Sequence, residues 1–486
     1  MDYSKVEVVN DRLSELPDEI LIHILSFLPT YESVRTVLLR PFGTLWTLVP
    51  SFDIYDYHVY RYWDNASDGS GDDNVNAGDG SGDDNDERSP ATRAFFIFVR
   101  NVLVRHSRPK ITRFRLNINW SYLLYEHNGK EGDLSYELDS LVNFALRKDV
   151  EILDINLGLV QPDDLFYRLP HTEFVSDSIT ELKLEFLEMR LQTRFQMGLL
   201  RVLRLIYVEI SDSVFREIIL GCPLLKELEI DNCPSLNELI IDAPNVEKLI
   251  LDSRYSCPIV NCPNLKSFWF TGFVDYIEVQ DLSSLVDVRF NLKSRNEEFK
   301  EFEQFITALN PALSAKFVSF SCESVTVLFY CMEKHHPQMS MNWKHVELCM
   351  WLTEKHIPGL CRMLRNSPHL EELVIDFTSW HYDFLQPIES ELNNCSIDEE
   401  DCCSRSLKRV VIYNASMCSY PCLVQLISSL LQNATVLAEL VIYYKAADKW
   451  PYERVLSSEQ WTEFSNNLLT FPRASRDVIV SLFKSI

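Results

Sequence analysis

The chain has 486 residues and a formal net charge of −25 at pH 7, and this length allows a large core and more than one domain. Nucleic-acid affinity depends on Lys and Arg side chains that neutralise phosphates, so such an acidic chain is not expected to bind nucleic acid. No apolar run reaches the roughly 20 residues that cross a bilayer, and no basic leader marks a secretory signal. We therefore expect a soluble intracellular protein, in the nucleus or cytoplasm, without membrane contact.

The first predicted element is a short apolar helix within LSELPDEILIHILSFLP, residues 13–29. Pro17 suits a first helical position, and the acidic pair that follows it lies where the helix dipole favours negative charge. His23 and Ser26 are the polar side chains of the remaining stretch, so the helix is apolar on nearly every side. Because such a helix must be covered, we predict that the rest of the chain or another chain packs on it.

Residues 64–90 form an acidic segment in which DGSGDDN occurs twice, at 68–74 and 79–85. The two copies are 11 residues apart, which does not fit the nonapeptide calcium solenoid. The EF-hand pattern also fails, because Asp73 stands where that loop requires Gly. Gly, Ser and like charges cannot form a core, so the segment is predicted to be a disordered insert.

From residue 179 onward, the pattern Leu-x-x-Leu-x-(Leu/Ile/Phe) returns with its middle residues 21, 25, 21, 19 and 20 positions apart. A period of about 20–29 residues is typical of leucine-rich repeats, in which each alternating run is one strand. Weaker copies extend the array in both directions, from Phe114 to Leu440. Leu239 lies between two copies and is predicted on the outer, return side of the repeats. Helices are predicted between strands at 94–106, 136–146, 299–309, 358–364 and 423–431.

The thirteen cysteines all lie from Cys222 onward, and none forms a C-x-x-C pair. The sequence therefore predicts no structural zinc or other metal site. Their number is odd and no secretory leader is present, so reduced thiols are predicted. Cys222 and Cys262 stand directly before a Pro at the start of a predicted strand, where we expect small buried residues.

Residues that alternate with the core positions are predicted to face outward on the concave side of the repeat array. A parallel solenoid sheet offers there a surface suited to gripping another macromolecule. The candidate substrate contacts on it are Lys226, Glu227, Glu229, Lys248, Lys266 and Trp269, with Glu371 and Glu372 as further outward residues.

The segment DRLSELPDEILIHILSFLPTYESVRT, residues 11–36, resembles the F-box of plant F-box proteins that carry leucine-rich repeats and an FBD domain. Residues 45–54 are similar to the segment that links F-box and repeats, and residues 406–444 with 468–477 are similar to the FBD region. The resemblance implies an α/β fold, with a curved parallel sheet and outer helices behind a small helical F-box. The implied domains are an F-box at 11–50, the disordered insert at 64–90, a leucine-rich-repeat solenoid at 91–397 and an FBD region at 398–486 that continues the solenoid.

In that family the F-box docks on a Skp-type adaptor, which joins it to a cullin ubiquitin ligase, while the repeats hold a protein substrate. The resemblance implies a substrate-recognition subunit of an SCF-type (Skp-cullin-F-box) ligase that needs no cofactor. Carried over, the residues that contact the adaptor or form the F-box's own small core are Leu16, Pro17, Ile20, Leu21, Ile24, Leu25 and Leu28, with Val34 in that core.

The chain departs from the family pattern at Arg40-Pro41-Phe42-Gly43, which replaces a basic, Trp-containing turn. Pro and Gly break helices, so the last F-box helix is predicted to be short, with Phe42 at the Trp site. This favours an alternative, in which the chain is a leucine-rich-repeat binding module whose weakened F-box does not join a ligase. A third class, an enzyme, lacks support because no G-x-S-x-G, H-E-x-x-H or P-loop motif occurs, and we predict no catalysis.

Overall fold

The computed structural model describes residues 13, 15–39, 42–56, 90–120, 123, 131–158, 166–169, 174–189, 195–253, 258–273, 278–280, 284–293, 309–334, 339–377, 405–444 and 456–484. The predicted insert at 64–90 and the predicted helix at 299–309 lie outside these ranges, each apart from its last residue. The chain divides into two compact units, residues 1–236 and 237–486, and each is described by itself.

Unit 1, residues 1–236, is built from short strands and the helices between them. Its strands are β1 (Ser51–Tyr55), β2 (Arg113–Asn117), β3 (Ile152–Asn156), β4 (Tyr167–Arg168), β5 (Phe174–Val175), β6 (Glu181–Glu185), β7 (Leu187–Met189), β8 (Phe195–Gln196), β9 (Val202–Ile206), β10 (Glu209–Ile210) and β11 (Glu227–Asp231). Its helices are α1 (Asp18–Leu25), α2 (Thr30–Arg35), α3 (Pro90–Arg105), α4 (Glu131–Arg147) and α5 (Asp212–Leu220).

One parallel sheet in the order β1-β2-β3-β6-β9-β11 organises unit 1. Its register places core leucines of successive repeats side by side, with Leu182 opposite Leu203 and Leu203 opposite Leu228. All three are fully buried, and burial of one such side chain contributes about 1.5–3 kcal/mol. Because the strand alternates with a period of two, the residues between them face solvent.

A left-handed residue follows three consecutive strands of this sheet. Phe186, Tyr207 and Asn232 come directly after β6, β9 and β11, with φ of +56°, +51° and +52°. The amide of Phe186 donates to the carbonyl of Ile206 at 3.1 Å, and the amide of Tyr207 donates to that of Asp231 at 2.8 Å. Non-glycine residues seldom adopt this conformation, so its repetition means that one turn geometry closes each strand.

Unit 2, residues 237–486, repeats the same plan with longer strands. Its strands are β12 (Ile240–Asp242), β13 (Lys248–Ser253), β14 (Ile259–Asn261), β15 (Ser267–Phe273), β16 (Glu278–Gln280), β17 (Asp287–Lys293), β18 (Phe317–Phe320), β19 (His345–Met350), β20 (Glu372–Phe377), β21 (Arg409–Tyr413), β22 (Glu439–Tyr444) and β23 (Ile479–Lys484). Its helices are α6 (Cys322–Lys334), α7 (His356–Asn366), α8 (Tyr420–Asn433) and α9 (Ser458–Leu468). A parallel sheet in the order β13-β15-β17-β18-β19-β20-β21-β22-β23 forms its base.

The predicted fold class is confirmed, because every predicted repeat from Phe114 to Leu440 lies on a strand of one of these two parallel sheets. Leu239 was expected on the return side, and the strand after it, β12, pairs in a separate small sheet with β14 and β16. The predicted helices at 94–106, 136–146, 358–364 and 423–431 correspond to α3, α4, α7 and α8. The domain limits at 11–50, 91–397 and 398–486 stay predictions, and β1 lies between the first two.

The cysteines before prolines are buried as expected. Cys222 and Cys262 are almost inaccessible, and burial raises the pKa of the Cys262 thiol to about 11. Cys361 is disulfide-bonded, so the prediction of reduced thiols is wrong at this position. The cysteines that are free among the described residues are Cys222, Cys233, Cys262, Cys322, Cys331, Cys349, Cys418 and Cys422.

The N-terminal helices are attached to the first strand and to α3. Leu21 and Leu25 of α1 are 1% and 0% exposed, and α1 packs on the 3₁₀ turn Leu45–Leu48. The backbone amide of Asp53 in β1 donates to the hydroxyl of Thr30 at 2.8 Å. These contacts join the N-terminal helices and the first strand in one core.

His106, directly after α3, contacts both β1 and the residues just before it. Its Nε2 lies 2.9 Å from the carbonyl oxygen of Val49, and its ring centroid is 4.7 Å from that of Phe52. Its Nδ1 is buried without a hydrogen-bond partner among the described residues. Burial lowers the pKa of His106 below its ordinary value of 6.5, since a buried imidazolium loses its hydration.

We expect Gly359→Ala to lower the free energy of unfolding by about 1–3 kcal/mol, because a Cβ at this position of α7 would lie 2.4 Å from Cγ of the fully buried Phe329. Gly198→Ala is the matched control, since nothing lies within 4 Å of its added Cβ. Urea unfolding of the three proteins measures the difference. Equal urea unfolding midpoints for the two variants would contradict the prediction. They would show that the α6–α7 contact accommodates the added Cβ at little cost in stability.

The second prediction concerns the loss of folding stability at low pH. The unfolded chain takes up a proton at His106 near pH 6.5, whereas the folded chain does so only at lower pH, so stability is lost as the pH falls through 6.5. We expect the thermal unfolding midpoint of the wild type to drop between about pH 7.5 and about pH 5.5 by more than that of His106→Leu, which cannot titrate. The same drop in both proteins would remove His106 as the cause.

Candidate binding surfaces

The N-terminal helices leave apolar side chains exposed on the side away from their core. Ile20, Phe27 and Leu28 are 46%, 74% and 38% exposed. Such exposure of large apolar side chains within one short stretch is typical of a protein-interaction site. We call these side chains the N-terminal apolar surface; its members are Leu13, Ile20, Phe27, Leu28, Val37, Leu38 and Leu39.

The predicted adaptor-contact residues divide between this surface and the core. Leu21 and Leu25 are buried, so of the two roles that the sequence left open they have the core role. Pro17, Ile20 and Leu28 are exposed. Leu16, Ile24 and Val34 are half-buried. Sequence reasoning missed Phe27 and Leu38 as exposed residues, although their positions at and beyond the helix end are a usable signal.

The helix that precedes the segment departing from the family pattern is short. Helix α2 ends at Arg35, and a single 3₁₀ turn, Thr36–Leu38, follows it. Gly43 has φ +41°, a conformation that glycine adopts without cost. Helix α2 is thus short, as the sequence predicts, while Arg40 and Pro41 lie outside the described residues. The assignment of these helices to an F-box stays a prediction.

The solvent face of the unit 1 sheet is covered by ion pairs within the chain. Arg204 on β9 contacts Glu181, Glu227 at 3.1 Å and Glu229 at 3.2 Å. Burial alone would lower the pKa of Arg204, but Glu181 and Glu227 outweigh it and raise that pKa. The predicted substrate contacts Glu227 and Glu229 are thus held by a neighbouring strand. Lys226 is exposed just before β11.

The solvent face of the unit 2 sheet has a different centre, the indole of Trp269. Lys248 Nζ lies 5.1 Å and Arg289 Cζ lies 4.4 Å from its ring centroid, and its Nε1 donates to Asp287 Oδ2 at 3.0 Å. The structure thus brings two of the predicted contacts, Lys248 and Trp269, together. Lys266 is exposed just before β15, and its Nζ lies 2.7 Å from a carboxylate oxygen of Glu247.

Arg289 and Asp287 were not among the sequence candidates. Both lie on β17, which the repeat pattern had identified through its core residues Val288 and Phe290. The residues on either side of a core position face the other way in a strand. Applying that alternation to β17 would have found both from the sequence.

A pocket of about 200 Å³ adjoins this centre on the face of β17, β18 and β19. Its far wall is formed by His345, whose Nε2 lies 3.2 Å from Glu347 Oε1 and whose Nδ1 lies 2.9 Å from Glu372 Oε2. The pocket is lined by Asp287, Arg289, Phe317, Val318, Ser319, His345 and Glu347.

Farther along the same face, charges and rings form two rows. Arg409 contacts Glu372 and lies 2.7 Å from a carboxylate oxygen of Glu439. The rings of Tyr413, Tyr443 and Phe483 stack at centroid distances of 4.9 Å and 5.4 Å. The further outward candidate Glu371 pairs with Lys408 at 2.9 Å, and this contact lowers the pKa of Glu371.

Metal-ligating side chains do not cluster in the described part of the chain. There, no group of three or more His, Cys, Asp or Glu side chains is placed to hold a metal ion. None of the helices in the same ranges combines the length and the apolar composition needed to cross a membrane.

Known leucine-rich-repeat proteins are similar to this chain over most of its length. The family model described as At1g61320/AtMIF1, LRR domain, matches residues 102–470. The F-box/LRR-repeat protein At4g14096 of Arabidopsis thaliana is 25% identical over 390 residues, which cover 75% of this chain and 72% of that protein. The F-box/FBD/LRR-repeat protein At4g26340 of the same plant is 24% identical over 294 residues, or 58% of this chain and 60% of that protein.

A solved structure, the crystal structure of a TLR13-ssRNA13 complex, aligns with 78% of this chain and 63% of that chain at 10% identity, with a TM-score of 0.31. At that similarity, the fold assignment depends on the sheets themselves and on the family model. The model covers more than half of the chain, and the names of the relatives confirm the resemblance to plant F-box/FBD/LRR proteins. The chain belongs to the At1g61320/AtMIF1 LRR domain family.

Proposed function

We propose that the chain is the substrate-recognition subunit of an SCF-type ubiquitin ligase. In this proposal the N-terminal helices dock on a Skp-type adaptor, the adaptor joins the chain to a cullin, and the repeats hold the protein to be ubiquitinated. The observation that supports it is the N-terminal apolar surface, which remains exposed although Leu21 and Leu25 anchor the same helix in the chain. The complex would work in the nucleus or cytoplasm.

The energetics of the exposed side chains fit a docking role. Burial of a fully exposed side chain of this size contributes about 1.5–3 kcal/mol. Docking over Ile20, Phe27 and Leu28 would gain the share of this that corresponds to their remaining exposure, before the cost of association is subtracted. Exposure of these groups without a partner carries a risk of aggregation. A second subunit that covers them therefore explains why the chain retains them.

Binding without catalysis is the role proposed for the chain itself. A nucleophilic cysteine needs a lowered pKa and access to solvent. Cys222 and Cys331 depart from this in both respects, since they are buried and burial raises the pKa of each to about 12. Cys349 is exposed, but partial burial still raises the pKa of its thiol. Ubiquitin transfer would be carried out by other subunits.

The alternative, a leucine-rich-repeat binding module outside any ligase, has support in one region. The 3₁₀ turn Thr36–Leu38 and the left-handed Gly43 stand where the family has a longer helix with a basic turn. If that helix supplies needed contacts, adaptor affinity is lost while client binding by the repeats remains. Adaptor binding decides between the two functions.

The test is co-purification of the full chain with a Skp-type adaptor. We expect Ile20→Asp with Leu28→Asp to reduce recovered adaptor by at least about tenfold, because both carboxylates would be buried without partners at the interface. Leu220→Asp is the control, since Leu220 is also a large exposed aliphatic residue but lies on α5. Its adaptor recovery should equal that of the wild type.

Failure of the wild type to recover any adaptor would reject the ligase proposal and leave the binding module. Equal recovery by the wild type and the Ile20/Leu28 double variant would reject the N-terminal apolar surface as the docking site. Thermal unfolding of each variant checks that a lost interaction is not a lost fold.

A further inference from the structure

We infer that the face of the unit 2 sheet around Arg289 binds an acidic, extended peptide segment of the client protein. One carboxylate of that segment pairs with Arg289, and a neighbouring side chain of the segment enters the pocket above Ser319. The inference rests on the proposed client-binding function and specifies the chemical character of the client segment that is bound.

Arg289 is held in place by the ring beside it. Its guanidinium lies 4.4 Å from the centroid of Trp269, on the strand next to β17. Lys248, on the strand at the other side of β15, brings a second cation 5.1 Å from the same ring. A cation over an indole is stabilised and loses little freedom when it binds a partner, so two preorganised positive groups meet on one side chain.

The carboxylates around Arg289 are engaged elsewhere. Asp287 Oδ2 accepts hydrogen bonds from Ser267 Oγ at 2.8 Å and from Trp269 Nε1 at 3.0 Å. Its Oδ1 lies 3.8 Å from Arg289 Nε, which is beyond hydrogen-bond distance. Glu347 Oε1 lies 3.2 Å from His345 Nε2. Among the described residues, the guanidinium of Arg289 therefore has donors left for an external carboxylate.

The contrast with unit 1 shows that this is not a general property of the outward arginines. Arg204 contacts three glutamates, and Arg115 lies 3.0 Å from Asp154 and 3.6 Å from Asp53. Those guanidinium groups are occupied by the chain itself. Among the described residues, Asp287 is the one carboxylate within 4 Å of the Arg289 guanidinium, and the ring of Trp269 is its main contact, which leaves it suited to a ligand.

The pocket explains why the ligand is a peptide. Ser319 on β18 stands between Arg289 on β17 and Glu347 on β19, and its small side chain leaves the space open. About 200 Å³ is less than the roughly 300–1,000 Å³ of small-molecule sites, so the pocket suits one side chain of a longer ligand. The half-exposed ring of Phe317 gives it an apolar wall. A leucine or phenylalanine beside an acidic residue meets both requirements.

The test is selection from a displayed library of random twelve-residue peptides on the full-length chain, with three variants in parallel. Arg289→Glu reverses the proposed contact, and Ser319→Phe fills the pocket without a change in charge. Arg216→Glu is the matched control, because Arg216 is an exposed arginine of α5 and the charge change is the same. Thermal unfolding confirms that each variant is folded.

We expect the wild type and Arg216→Glu to recover peptides with Asp or Glu next to Leu or Phe. Arg289→Glu and Ser319→Phe should lose them. For one recovered peptide, replacing its acidic residues by Gln should weaken binding by about tenfold or more, as loss of a charge-assisted contact does. Fluorescence anisotropy measures that ratio.

Recovery of neutral or basic peptides, recovery of the same peptides by Arg289→Glu, equal loss in Arg216→Glu, or no recovery at all would overturn the inference. The adaptor experiment is independent of these outcomes. An acidic peptide that binds a chain without adaptor affinity would reject the ligase proposal and retain this surface. Recovery of the adaptor without selection of acidic peptides would retain the ligase proposal and reject this surface as the client site.

Discussion

The structure depends on the side-by-side packing of aliphatic residues from strands that follow one another in parallel. A five-residue strand such as β6 buries only a few side chains, here Leu182 and Leu184, which cannot offset the entropy lost when a repeat is ordered. The register supplies the missing packing partners, since each core leucine lies beside the corresponding residues of the two neighbouring strands. The outward residues are then free of any role in the core. Within each unit they form a surface that can change without cost to the fold.

The two solvent faces use that freedom differently. In unit 1 the outward charges satisfy one another, as Arg204 does with its glutamates, and exposed pairs of this kind add little stability. In unit 2 an aromatic ring replaces one of the charges, and the guanidinium of Arg289 beside it lies 3.8 Å from Asp287, beyond hydrogen-bond distance. Specific recognition needs such groups, because a polar group that already has its partner gains little from a ligand.

The repeating strands could be predicted from the sequence because their leucines recur at a regular period. Strands β1 and β23 were missed for the opposite reason: SFDIY was assigned to a linker, and the residues of IVSLFK are half-exposed or exposed. Helix α6, CESVTVLFYCMEK, carries β-branched and aromatic residues that favour strands, and tertiary packing overrides that preference. Only part of the candidate site could be predicted from the sequence. Trp269 and Lys248 stood out by residue type, whereas Arg289, the nearby carboxylates and the pocket depend on which side chains meet across strands, and no single repeat contains that information.

The attachment of α1 and α2 to β1 has a mechanical consequence. Because these helices share a hydrophobic core with the first strand, through Leu21, Leu25 and the Asp53–Thr30 hydrogen bond, they cannot swivel as they would on a flexible tether. Any protein that covers Ile20 and Phe27 is held at one angle to the first repeats. Close packing therefore limits the range of orientations that the bound protein can adopt. Weakening the contact between the N-terminal helices and β1 would widen that range without altering either binding face.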